Sequence, residues 1–245
     1  MNFRSLFQRP TTKSSQQSIM YFTVHKAASV YLRKIFEALS KPNGLKHVNY
    51  ARTFWKTDFR DFETLNYERN GHIYGPLRNY APIPGIEDFK LLLHLRDPRD
   101  VMVSLYFSVA YSHPLRDKEN SVKKRAETQA IDINDFVIEK APDFAGRYQN
   151  YVDNIVGRPN VLLVHYEELV TDFPRWLDRV VDHLDLRHGP TMKSLLNKHR
   201  VSVAREDKNR HVRQITPGDH DRKLRPETIE QLNETFRNVM PKLGY

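Results

Sequence analysis

The sequence predicts an α/β fold with a mostly parallel central sheet flanked by helices. Three observations predict it. Two continuous apolar runs, KLLLHL at 90–95 and VLLVHY at 161–166, have the length of strands buried on both faces. Helical patterns follow both runs and no hairpin turn does, so the chain crosses over before it pairs again. A third apolar run, Ile19 to Val24, passes through HKAAS (25–29) into VYLRKIFEAL, whose apolar side chains fall at helical spacing.

Residues 1–18 are polar and read as an N-terminal tail, and residues 19–245 as one domain. Within it, 19–24 predicts a strand and 28–40 a helix. Leu45 to Tyr50 and His72 to Tyr74 predict two short strands, and 90–95 a longer one. Asp97-Pro98 then has the form of a helix N-cap with proline in the first turn. That helix runs through VMVSLYFSVAY and ends before His113-Pro114. Residues 115–130 are highly charged and read as an exposed loop or a solvated helix. Helices near 133–140 and 144–156 precede the strand at 161–166, and two short helices follow it. Asn197 to Arg225 is basic and irregular. Pro226-Glu227 opens a last amphipathic helix to 239.

The formal net charge is +9 and the sequence pI about 9.6, a balance that favours acidic partners. The chain has no cysteine, which excludes a disulfide framework and a thiolate metal site and suits the reducing cytoplasm. No apolar run reaches the roughly 18 residues of a membrane span, and the N-terminus has no apolar signal core.

The chemistry concentrates at strand ends. HKAAS, RDPRD (96–100) and the residues after VLLVHY each lie at the carboxyl end of a predicted strand, where ligands bind in open α/β sheets. A strand-to-helix turn aims backbone N–H groups and the helix dipole at one point, and Lys26 adds a cation there. The turn does not match G-x-x-x-x-G-K-[ST], the nucleoside-triphosphate version of this device. Arg96 presents a planar fork suited to phosphate. No H-x-x-x-H spacing or carboxylate cluster suggests a metal.

Four segments, in order, resemble the sulfotransferases that use 3′-phosphoadenosine 5′-phosphosulfate (PAPS). YFTVHKAASVYL is similar to the family's P-loop-like 5′-phosphosulfate loop. LLLHLRDPRDVMVSLYFS resembles its 3′-phosphate motif, with Arg96 and Ser104 at the matching positions. VLLVHYEELVTDFP resembles the family's strand followed by Y-E-[DE]-L, and RQITPGDH (213–220) its late basic segment. Departures are His25 for the loop proline, Ala28 for the loop glycine, Tyr31 for tryptophan, and Gln214 and Ile215 for lysine and glycine. With alanine at 28, a positive φ carries a steric cost.

The resemblance implies PAPS as co-substrate, adenosine 3′,5′-bisphosphate (PAP) as product, and no metal. It implies contacts to the nucleotide from His25, Lys26, Ala27, Ala28, Ser29, Val30, Tyr31, Arg96, Ser104, Tyr166, Arg213 and Gln214. Lys26 would neutralise the leaving phosphate. His72, just before the stretch that carries the family's histidine base, and His47, near where carbohydrate-acting relatives carry a glutamate base, are candidate bases, with His25 a third. The acceptor would be a hydroxyl or amine, of acidic or carbohydrate character, and nucleic acid is not expected as a partner. Two other readings remain open on the residues alone: a nucleotide kinase sharing the strand-loop-helix, and a non-catalytic polyanion-binding module built on the basic stretch 198–213.

Overall fold

A computed structural model of the chain describes residues 16–49, 67–112, 118–198, 207 and 213–245. Its strands are β1 (Ile19–Thr23), β2 (Lys46–Val48), β3 (His72–Leu77), β4 (Lys90–Leu95) and β5 (Val161–His165). They form one sheet in the order β2-β3-β1-β4-β5, and every neighbouring pair is parallel. The strand ends that carry chemistry therefore all lie at one edge of the sheet.

Both faces of the sheet are covered, which is why β1 and β4 read as unbroken apolar runs. On one face Met20, Phe22, Leu91 and Leu93 meet α2 (Pro98–Phe107), α4 (Ile133–Asn154) and α9 (Pro226–Phe236). On the other, Ile19, Tyr21 and Leu92 meet α1 (Ser29–Ser40), α6 (Phe173–His183) and α7 (Pro190–Lys198). The remaining helices are α3 (Lys118–Ala130), α5 (Tyr166–Thr171), α8 (Asp219–Lys223) and α10 (Met240–Leu243).

Several elements differ from the sequence expectation. β3 runs to Leu77, three residues past the predicted end. Pro76 is tolerated because β2 ends opposite Tyr74, leaving no β2 partner at its level. Gly75 is required there: a Cβ would lie 2.4 Å from the Tyr21 ring. The two helices predicted around 133–156 are one helix, α4, with Pro142 inside it. Pro142 is exposed, away from the face of α4 on which Phe136, Val137, Ala141, Phe144, Tyr148 and Tyr151 hold the helix in the core. The segment before His113 ends in a π-helical turn at 108–112. Residues 118–130 take the helical of the two readings given for 115–130, while α7 overlaps the start of the stretch 197–225 read as irregular and α8 lies inside it. The end of the predicted tail also joins the domain, because Ser18 donates its N–H to the Arg69 carbonyl at 2.8 Å and its Oγ accepts from His72 N–H at 3.0 Å. Residues 1–15 lie outside the described residues, as does most of the basic stretch 198–213.

Candidate active site

The turn between β1 and α1 is built with two non-glycine residues in the left-handed region, Lys26 at φ 69° and Ala28 at φ 58°. Ala28 thus adopts the conformation that its side chain disfavours, at a cost of about 1–2 kcal/mol. The gain is directional. Ala28 is the N-cap of α1, and its methyl side chain makes no cap hydrogen bond to the first N–H groups of the helix. Ala27 is buried beneath the turn, Ser29 is buried at its end, His25 and Lys26 are half-buried, and Val30 is exposed. Tyr31 leans away along α1 to Phe173, with ring centroids 6.3 Å apart.

Three arginines surround this turn from different elements. Arg78 follows β3 directly and donates from Nη2 to Ser29 Oγ at 3.0 Å. Arg96 follows β4 directly, is 3% exposed, and donates from Nη1 to the Lys26 carbonyl at 3.2 Å. Its guanidinium lies 4.3 Å from the centre of the Tyr166 ring, the first residue after β5. Arg213 is buried, stands 4.0 Å over the Phe107 ring and pairs with Asp219. Burial, with the charges of Arg96, Arg78 and Arg213 adding to it, lowers the Lys26 ammonium from its usual 10.5 to about 8.

One carboxylate organises the far side. Asp100 on α2 accepts from Arg96 Nη2 (3.3 Å), Gly218 N–H (3.0 Å), His220 N–H (2.9 Å) and His220 Nδ1 (2.7 Å). Burial pushes the Asp100 carboxyl up, but the His220 hydrogen bonds and the Arg96 charge outweigh it and hold it well below the usual carboxylate range. Tyr166 OH donates to the Ile215 carbonyl at 2.9 Å, so the same segment is held from β5 as well. Gln214 turns back on its own loop, its Oε1 accepting from the N–H groups of Ile215 and Thr216. Ser104 is half-buried one turn beyond Asp100, on the same side of α2.

The profile of the sulfotransferase domain family matches residues 86–244, well over half of the chain. The chain belongs to this family. A search of curated proteins found no significant sequence match. Among solved structures, the sulfotransferase is similar to a mouse sulfotransferase complexed with PAP, at 16% identity and TM-score 0.62, covering 93% of this chain and 86% of that one. It is also similar to retinol dehydratase in complex with androsterone and inactive cofactor PAP, at 12% identity and TM-score 0.58, covering 91% and 80%. At these identities the likeness concerns the fold.

The sulfotransferase brings Lys26, Ser29, Arg96, Tyr166 and Arg213 together at one edge of its sheet. It does not bring the two candidate bases there. His72 opens β3, six residues and about 20 Å of extended chain from Arg78, with Nδ1 3.0 Å from the Asn70 carbonyl oxygen. In a parallel sheet the start of a strand is at the opposite edge from the ligand site. His47 pairs with Ile73 in the register, one residue from that same start, and lies 3.0 Å from Tyr21 OH. Sequence reasoning missed Arg78 because Gly75-Pro76 reads as the end of a strand. The available signal was Leu77-Arg78, which repeats Leu95-Arg96: an arginine one residue past an apolar strand. No group of three or more His, Asp or Glu that could hold a metal occurs among the described residues, and no described helix is long and apolar enough to cross a membrane.

Proposed function

We propose that this sulfotransferase moves the sulfuryl group of PAPS to a hydroxyl or amine acceptor by in-line displacement. The observation that carries the reading is the donor set around the loop: an uncapped helix N-terminus, Lys26, and arginines from the ends of β3 and β4. The set is rich in donors and poor in acceptors, and the Nε atoms of Arg78 and Arg96 are buried without a hydrogen-bond partner among the described residues. Such a set fits a small polyanion.

In this reading Arg96, Arg213 and Ser104 take the 3′-phosphate, and the α1 N-terminus with Lys26 takes the 5′ end. Tyr166 acts as the platform under Arg96, and Gln214 shapes its loop. His25, Ala27, Ala28 and Val30 contribute backbone, and Tyr31 lines the β5 side. The acceptor oxygen or nitrogen forms its bond to sulfur and gives its proton to a base. The bond from sulfur to the phosphate oxygen breaks, and its electron pair stays on the phosphate. Lys26 neutralises that charge, and positioning with electrostatics supplies the acceleration. The net charge of +9 favours an acidic acceptor or a polyhydroxylated one such as a carbohydrate over a cationic one. The lack of cysteine suits residence in the cytoplasm.

Calorimetric titration with PAP, with and without magnesium, tests the reading. Tight binding that is indifferent to magnesium is the expected result. Binding that requires magnesium and a 5′-triphosphate would support a kinase, and no binding of PAP overturns the proposal.

A further inference from the structure

Arg78 has no place in the sequence motifs, yet its position in the sheet is specific. β3 and β4 flank β1 on opposite sides. Adjacent strands are about 4.8 Å apart, so the residues that follow β3 and β4 start roughly 10 Å from each other, with the β1 turn between them. Arg96 occupies the β4 side, together with Tyr166 from β5 and the Arg213 segment. Those groups serve the 3′-phosphate in the reading above. A nucleotide anchored there and running over the α1 N-terminus brings its distal 5′ end to the β3 side. Arg78 is the described cation that enters from that side.

Its setting keeps it ready for an anion. Nη2 donates to Ser29 Oγ at 3.0 Å, which holds the guanidinium against the first residue of α1. Among the described residues the one hydrogen bond from the guanidinium is that to Ser29, and Nε is buried without a partner there. Three residues before Arg78, the Tyr21 ring packs on Gly75, and the Tyr21 OH lies 3.0 Å from His47 Nε2. Burial lowers the guanidinium pKa, with Tyr21 opposing, as expected of a cation held partly away from water.

We infer that Arg78, held by Ser29, binds the terminal sulfonate oxygens of the donor on the side from which the acceptor approaches. This inference rests on the PAPS reading. Arg78 is then a catalytic residue: it fixes the group in flight while Lys26 meets the charge left behind on the phosphate. A planar fork suits sulfonate oxygens as it suits phosphate oxygens.

The test compares two nucleotides that differ in the sulfuryl group. Calorimetry measures PAPS and PAP binding to the unaltered protein and to Arg78→Gln and Arg78→Lys, each first checked for a cooperative thermal melt. Loss of a hydrogen bond to a charged group predicts PAPS binding weaker by about thirtyfold in Arg78→Gln, with PAP changed by less than about threefold. Arg78→Lys restores part of the PAPS affinity and guards against a fold defect in the glutamine variant. Equal losses for PAPS and PAP, or no loss for either, overturn the assignment of Arg78 and leave the PAPS reading intact. An unaltered protein that binds neither nucleotide overturns both.

Discussion

Asp100 Oδ1 lies 2.7 Å from Nδ1 of His220, while Oδ2 of the same carboxylate pairs with Arg96. A single side chain on α2 therefore ties Arg96, which follows β4, to the segment that carries Arg213. Both members of the pair are buried, at 0% and 5% exposure, so water does not compete for these bonds.

Asp100→Asn keeps the size of the side chain but removes the charge facing Arg96 and turns an N–H₂ toward a donor. Breaking such a buried pair costs about 3–5 kcal/mol, so the melting temperature falls. The functional readout is discrimination between PAP and adenosine 5′-monophosphate, which falls by about tenfold or more as Arg96 loses its orientation. If stability drops while discrimination is unchanged, Asp100 supports the fold and does not position Arg96.

Arg96→Ala separates the two ends of the ligand. Removing a charged partner weakens PAP binding by about 2–4 kcal/mol. Binding of adenosine 5′-monophosphate, which lacks the 3′ group, changes little. Calorimetry with both ligands is the measurement, and equal losses refute the 3′-phosphate assignment.

Lys26 gives binding a pH dependence of known sign. Its ammonium is lowered to about 8, chiefly by burial and then by Arg96, Arg78 and Arg213. A bound polyanion favours the charged form and raises that value, so binding near pH 8 takes up a proton. Affinity is full below pH 8 and falls by up to about tenfold per pH unit above it. Titrations in two buffers of different ionisation enthalpy detect the uptake. Lys26→Ala abolishes it and lowers turnover about a hundredfold. Uptake that persists in this variant belongs to another group.

His94 sets an acid limit on stability. It is fully buried opposite Thr23, at the base of the Lys26 turn, edge-on to Trp176 with ring centroids 5.7 Å apart. Burial, with His165 adding, lowers its imidazole from 6.5 to about 3. Below pH 6.5 the unfolded chain binds a proton that the folded chain refuses, so this contribution is complete above 6.5 and declines toward pH 3. The slope is about 1.4 kcal/mol per unit, or roughly 2 kcal/mol lost by pH 5. Urea unfolding of the unaltered protein and of His94→Leu at pH 7 and pH 5 measures the difference. An unaltered slope in the leucine variant assigns the effect elsewhere.

The sequence by itself determined whatever depends on local pattern. Strands buried on both faces read as apolar runs, so β1, β4 and β5 are found close to where KLLLHL, VLLVHY and Ile19 to Val24 put them, and β4 has the predicted bounds. The Asp97 cap is legible for the same reason, because its side chain answers an N–H two residues away. Lys26 and Arg96 could be singled out because each directly follows an apolar strand or its turn. What the tertiary structure decided is everything that depends on neighbours distant in the chain. Gly75-Pro76 breaks the local strand pattern, and only the Tyr21 ring lying over Gly75 and the early end of β2 explain why β3 continues to deliver Arg78. His47 and His72 carry suitable chemistry, but strand polarity sends them to the wrong edge of the sheet. Nothing local in RDPRD sets Asp100 apart from Asp97. Asp100 became the hub of the site because folding brings His220, 120 residues later, onto a carboxylate that has no water to turn to.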